Sequence, residues 1–207
     1  MTGKFITFEG IDGSGKSTQL EMLASKLRDK GFNVVTTREP GGTPLGLALR
    51  AAFLETTGPV APMAELLSFA ADRAQHVEHM IKPQVAAGKM VISDRYADAT
   101  FAYQGAGRGF PEEQVNSVIA LATGGLKPDL TLFFDITPEL ATQRMSRRSD
   151  THRNRMDDEA EDFYHRVRQA YLGIAEREPE RFIVIDASGS VDETHAKTIE
   201  IVLAYLQ

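Results

Sequence analysis

Five short apolar runs punctuate the chain: Phe5 to Phe8, Val34 to Thr37, Met90 to Ser93, Leu130 to Phe134 and Phe182 to Ile185. Each is bounded by charge or turn residues, which suits strands buried on both faces. Between them, apolar residues recur at helical spacing. Leu20, Leu23, Ala24 and Leu27 fall on one helical face, while Glu21, Lys26, Arg28 and Asp29 fall elsewhere. Gly31 then stands where such a helix would be capped. Strands alternating with helices predict right-handed crossovers and an α/β fold, a five-stranded parallel sheet with helices on both faces. Gly58-Pro59-Val60-Ala61-Pro62 reads as a loop between helices rather than a linker, so residues 1–207 are expected to form a single domain.

Ligands bind such sheets beyond the carboxyl ends of the strands, so the residues there carry the functional signal. The first run ends in Glu9 and then Gly10-Ile11-Asp12-Gly13-Ser14-Gly15-Lys16-Ser17-Thr18. This is a P-loop: Gly, four residues, then Gly-Lys-Ser. Its glycines let successive backbone N–H groups point at phosphate oxygens. Lys16 offers a mobile charge to the β- and γ-phosphates, and the Ser17 hydroxyl is placed for Mg²⁺. A helix starting at Ser17 adds the positive end of its dipole. Strand, glycine-rich loop and helix arrive in the order that nucleoside triphosphate binding requires.

Composition narrows the classes. The chain has 207 residues, 42% of them hydrophobic, enough for one substantial core. It has no cysteine, which excludes disulfides and thiolate metal sites and fits a cytoplasmic enzyme. No signal-peptide pattern opens the sequence, and no apolar run approaches the ~20 residues needed to span a bilayer. A net charge of −6 argues against a broad nucleic-acid surface, so the ligand should be small and held by local positive charge.

Two such charges, Arg38 and Arg95, follow separate strands, and Arg73 lies on the helix between those strands. Any one arginine is more often a solvated surface charge. Several guanidinium forks facing a P-loop instead suggest a second, phosphorylated substrate. The segment Arg144 to Arg155 is arginine-rich and nearly free of apolar residues, and reads as a mobile lid (about 144–156) over the phosphates. A guanine-reading Asn-Lys-x-Asp segment is absent, and no general base is needed if the acceptor is a monophosphate already ionised near neutral pH. His76, His79, His152, His165 and His195 are therefore read as structural or exposed. Gly105-Ala106-Gly107-Arg108-Gly109 follows no strand and reads as a flexible turn.

The blocks Phe8 to Thr18, Thr37-Arg38-Glu39-Pro40-Gly41-Gly42-Thr43, Asp94-Arg95-Tyr96, Tyr103-Gln104-Gly105 and Pro128-Asp129-Leu130-Thr131 together resemble bacterial thymidylate kinases, nearly from end to end. The resemblance implies a P-loop nucleoside monophosphate kinase-like fold, ATP and Mg²⁺ as donor and metal, dTMP as acceptor, and a homodimer. It implies that Phe69 stacks on thymine, with Arg73 and Gln104 on its polar edge. Arg95 would hold the dTMP phosphate, Arg38 would lie near the line of transfer, and Tyr103 would lie under the sugar. Asp12 would approach the sugar or acceptor side, Asp94 would act near Mg²⁺, and Glu39 and Thr100 would complete the substrate contacts. Some relatives carry an arginine inside the P-loop where this chain has Gly13 and Ser14. Arg148, Arg153 and Arg155 would then supply that charge from the lid, with Arg144 at its base. Asp157-Asp158-Glu159 would help order the lid or the metal, or simply start the next helix at its favourable end. Two other readings remain at this stage: another small P-loop nucleotide kinase, or a non-catalytic ATP-binding regulatory module.

Overall fold

Alternation along the strands builds two hydrophobic layers at once. In the computed structural model, which describes residues 3–146, 156 and 159–206, Ile6, Phe8 and Ile92 belong to one core cluster. Phe5 and Val91 belong to a second. Successive side chains of a strand point to opposite faces, so central strands must be apolar on both to bury both. The strands are β1 (Lys4–Glu9), β2 (Val34–Arg38), β3 (Met90–Asp94), β4 (Leu130–Asp135) and β5 (Phe182–Asp186). All neighbours pair in parallel, in the order β2-β3-β1-β4-β5. β1, β3 and β4 match the expected double-sided burial. The edge strands β2 and β5 do not, and alternate between buried and solvent-facing positions, because only central strands are covered throughout.

The helices follow local chemistry. α1 (Lys16–Asp29) starts directly from the P-loop and buries Leu20, Leu23, Ala24 and Leu27, as the spacing predicts. α2 (Pro44–Leu54) opens with Pro44 after Thr43, whose hydroxyl accepts the Gly46 N–H. α3 (Pro62–His76) continues through a π-helical stretch, Val77–Ile81, into α4 (Lys82–Ala86). α5 (Ala97–Thr100) likewise runs into a π-helical stretch, Phe101–Gly107. The expected turn at Gly105–Gly109 is thus largely helical. Ala102, Tyr103 and Gln104 are buried there, and that packing holds the backbone despite the glycines. α6 (Glu112–Thr123) ends at Gly124 in the left-handed conformation, and α7 (Pro138–Met145) is capped by Thr137. α8 (Glu161–Arg177) has a strongly apolar inner face, and α9 (Val191–Tyr205) opens with a capping box between Ser190 and Glu193. Among the described residues, no helix is long and apolar enough to cross a membrane.

Candidate active site

The P-loop closes around Lys16. Gly13 adopts φ +86°, and a Cβ there would sit 2.7 Å from the Ala141 carbonyl oxygen, so this position takes only glycine. Lys16 is buried, and its Nζ donates to the Ile11 carbonyl at 3.0 Å. Burial, and then the nearby Arg95, lower its pKa, while Asp94, Asp12 and Glu9 support the charged form.

Sheet register brings the neighbouring strand ends to the same edge. Asp94 pairs with Phe8 of β1 on one side and with Arg38 of β2 on the other. Ser17 Oγ donates to Asp94 Oδ2 at 2.8 Å. Arg38, Ser17 and Asp94 line one open cleft of about 440 Å³, with Thr37, Gly41 and Gly42 on its far wall. The donor set here fits a hard cation: a hydroxyl and a carboxylate side by side, with Asp94 Oδ1 buried and lacking a hydrogen-bond partner among the described residues. The sequence expectation for Ser17, Asp94 and Mg²⁺ is compatible with this geometry.

Arg95 takes a backbone conformation uncommon for any residue but glycine, φ 72°. Three bonds hold it there: Arg95 N to Phe8 O at 2.9 Å, Ser93 Oγ to Arg95 O at 2.8 Å, and Tyr96 N to Glu9 Oε1 at 2.8 Å. The turn throws the guanidinium back over the P-loop, where Nη2 donates to both oxygens of Asp12 at 3.0 Å and to the Tyr103 hydroxyl at 3.1 Å. Burial disfavours its charge, but Asp12, Tyr103 and Asp94 outweigh that and raise its pKa further. Arg95 Nε is buried without a hydrogen-bond partner among the described residues. A buried donor left unpaired costs about 1–3 kcal/mol, so this one is poised for an acceptor such as a phosphate oxygen.

Beneath this turn lies Glu9, fully buried, which accepts from Tyr96 N and from the Tyr171 hydroxyl, each at 2.8 Å. Burial, reinforced by the charge of Asp98, pushes its carboxyl up to about 8, against an ordinary value of 4.5. Between those values the folded chain holds a proton that the unfolded chain has released. Stability measured relative to Glu9→Gln should therefore fall as pH rises through that window, by about 1.4 kcal/mol per pH unit, and level off above it. Denaturant unfolding of both proteins from pH 5 to 9 checks this, and a flat difference would mean that Glu9 is ionised in the folded state.

The other half of the site is built on α3. Phe69 is half-buried and packs edge-on against Phe53, with ring centroids 4.8 Å apart. Arg73, four residues on, is almost wholly buried. Its Nε donates to Glu39 Oε2, its Nη1 to Thr100 Oγ1 and its Nη2 to the Tyr96 carbonyl, all at 2.8 Å. A guanidinium has five N–H donors, so one N–H on each terminal nitrogen remains for a ligand. Gln104 Nε2 donates to Glu65 Oε1 at 2.8 Å. Of the expected substrate residues, Glu39 and Thr100 both accept from Arg73, and Gln104 is tied to the same helix through Glu65.

Several functional residues were not anticipated. Glu65 is buried in α3 and holds both Gln104 and Arg108. Its signal was an acid sharing a helix face with Phe69. Arg50 of α2 donates to the Pro40 carbonyl at 3.2 Å, and burial, then the nearby Arg38 and Arg95, lower its pKa. It adds a cation to the same cluster. Of the two helical histidines, His76 is buried and bonded, and His79 is exposed.

Arg148, Arg153 and Arg155, with Asp157 and Asp158, lie outside the described residues. Arg144 ends α7 and donates to the carbonyls of Ala187, Ser188 and Gly189. After the segment, Met156 is buried, and Glu159 pairs with Arg108 at 2.6 Å.

Comparison with known proteins agrees with this geometry. The family model described as thymidylate kinase matches residues 8–198. A thymidylate kinase from Desulfovibrio desulfuricans is 46% identical, across 98% of this chain and 96% of its own length. One from Clavibacter michiganensis is 47% identical, across 95% and 92%. The crystal structure of thymidylate kinase from Ehrlichia chaffeensis superposes with a TM-score of 0.79 at 35% identity, covering 98% of this chain and 99% of that one. With a P-loop at the carboxyl end of the sheet, and with these relatives matching nearly its whole length, the chain belongs to the thymidylate kinase family.

Proposed function

We propose that the residues gathered at this sheet edge perform one reaction between two bound nucleotides, with ATP on the P-loop and dTMP between Arg95 and α3. The enzyme transfers the γ-phosphoryl group of ATP to dTMP, giving dTDP and ADP. The observation that carries the assignment of roles is the unpartnered Nε of Arg95, aimed beside a P-loop by a strained turn that three hydrogen bonds hold in place.

In this reading the dTMP phosphate sits against the uncommitted edge of Arg95. One of its oxygens attacks the γ-phosphorus, and the bond to the β-phosphate oxygen breaks. No proton need be removed first, because a phosphomonoester's second pKa is ~6. Lys16 and the P-loop amides neutralise the donor phosphates, and Arg38 meets the transferring group from β2. Asp12 fixes Arg95, and Tyr103 below it excludes a 2′-hydroxyl. Ser17 and Asp94 would hold Mg²⁺, which supplies charge neutralisation across the β- and γ-phosphates. The thymine ring lies on Phe69, with the two remaining N–H groups of Arg73 facing a ring carbonyl. Gln104, whose NH₂ is taken by Glu65, turns its carbonyl oxygen to the ring N–H. Arg148, Arg153 and Arg155 supply further positive charge to the transferring group.

Following ADP release with ATP, Mg²⁺ and one monophosphate at a time tests the pocket. Strong turnover is expected with dTMP, weaker with dUMP, and negligible with UMP, dCMP, dAMP and dGMP. Arg73→Ala and Gln104→Ala should narrow the gap between dTMP and the others by about 10-fold or more, with KM for ATP little changed. Preference for another base would refute the Phe69–Arg73–Gln104 assignment, and no stimulation by any monophosphate would refute the second site.

The assembly proposed is a cytoplasmic homodimer. The support is apolar surface on adjacent helices: α2 and α6 both pack on α3, and Leu47, Leu67 and Leu121 remain exposed. A monomer mass by sedimentation at micromolar concentration would remove that part.

A further inference from the structure

Phe69, Asp72, Arg73 and His76 recur at i, i+3, i+4 and i+7, forming one stripe along α3. Phe69 and Arg73 have been placed against the base. Asp72 and His76 face the end of β2, which carries Arg38, and the segment that follows it. His76 Nδ1 donates to Glu39 Oε1 at 2.8 Å, and Nε2 shares a 2.7 Å hydrogen bond with Thr37 Oγ1. Asp72 Oδ1 accepts the Gly41 N–H at 3.0 Å. The approach is close: a Cβ at Gly46 would lie 2.2 Å from Asp72 Oδ1. Arg38 lies close to Gly41, its Nε 3.7 Å from where a Cβ on Gly41 would project.

Asp72 is an expensive way to fill this space. It is completely buried, its second oxygen has no hydrogen-bond partner among the described residues, and burial, with the charge of Glu39, pushes its carboxyl up to about 6. A small apolar residue would pack here without that desolvation cost. What it could not do is hold the Gly41 amide.

We propose that Asp72 is a positioning residue for phosphoryl transfer: through the Gly41 amide it seats the Arg38 segment, so that the helix which reads the base also sets the arginine on the transfer line. This rests on the reading of Arg38 given above. Arg38 is exposed, and while its backbone is held by the ladder to Asp94, its side chain runs past Gly41, so without a fixed Gly41 its guanidinium samples positions away from the cleft. A displacement of about 1 Å at a reacting group lowers turnover by on the order of 100-fold.

A double-mutant cycle tests the proposal, reading kcat, both KM values and melting temperature for Asp72→Ala, Arg38→Ala and the double variant. Asp72→Ala should lower kcat about 10- to 100-fold with KM for ATP within about twofold of wild type. Asp72→Asn should restore most of kcat, because its amide oxygen still accepts from Gly41. In the Arg38→Ala background, Asp72→Ala should cost nothing further in kcat. Multiplied losses, or an unchanged kcat in Asp72→Ala, would overturn the proposal. If Arg38→Ala alone keeps full kcat, the role of Arg38 fails and the proposal falls with it, a result distinct from multiplied losses. Should Asp72→Ala not fold, Asp72→Ser, too short to reach the Gly41 amide, runs the same cycle with the same expected outcomes.

Discussion

Replacing Lys16 with alanine is expected to lower kcat about 10³-fold, the scale on which losing one preorganised charge contact to a phosphoryl group registers. The ammonium is buried inside the loop, 3.0 Å from the Ile11 carbonyl, in surroundings where a charge acts at low dielectric. Burial and the nearby Arg95 lower its pKa, so the site resists that charge until anions arrive. Binding triphosphate then removes an unfavourable field as well as forming new bonds, which is why one side chain carries so large an effect. The backbone should tolerate the change, because the glycines and the start of α1 set the loop and alanine is a good helix former. Steady-state turnover of dTMP, with melting temperature as a folding control, checks this. A loss smaller than tenfold in a folded variant would move the neutralising role elsewhere, to the arginines between 147 and 155.

Arg95→Ala should reduce kcat/KM for dTMP by about 10³-fold, mostly through KM, and the decisive comparison is with thymidine. The wild-type enzyme should bind dTMP far more tightly than the nucleoside. In the variant that advantage should collapse while thymidine affinity stays nearly constant, because Phe69 and Arg73 are untouched. Isothermal titration with both ligands measures it. Arg95→Lys should recover only part of the loss, since an ammonium keeps the charge but cannot hold Asp12 and a phosphate through separate edges. The backbone offers an independent check. The left-handed conformation at position 95 costs roughly 1–2 kcal/mol for a residue with a Cβ. Arg95→Gly should therefore be more stable than Arg95→Ala by about 1 kcal/mol, although both lose phosphate recognition. Equal losses for dTMP and thymidine would show that Arg95 supports the whole pocket rather than the phosphate.

The strands were legible almost to the residue, and the small disagreement is informative. Hydrophobicity placed the ends of the second and third strands at Thr37 and Ser93, whereas backbone pairing continues to Arg38 and Asp94. An apolar criterion stops at the first charge, but the ladder does not. Those last charged residues are the ones that reach the site. Edge and centre were not distinguished, because a five-residue run reads alike in either place until its neighbours are known. The π-helical stretch through Gly105 was misread because glycine spacing signals a turn locally, while buried Tyr103 and Gln104 set its conformation through contacts distant in sequence.

The sequence by itself determined the P-loop, the alternation of strands and helices, and the family, because these are written in contiguous residues. A loop's glycines, a helix's stripe and a strand's alternation each act over a few positions. Only the tertiary structure decided how those residues are held. Asp12 and Arg95 are 83 positions apart, Gln104 and Glu65 are 39 apart, and Glu9 and Tyr171 are 162 apart. Glu9, Glu65 and Asp72 read in the sequence as ordinary acids. Burial, with the neighbouring Asp98 and Glu39, makes the charge of Glu9 and Asp72 costly, and each of the three buried acids becomes a fixed point for an arginine, a glutamine or a loop.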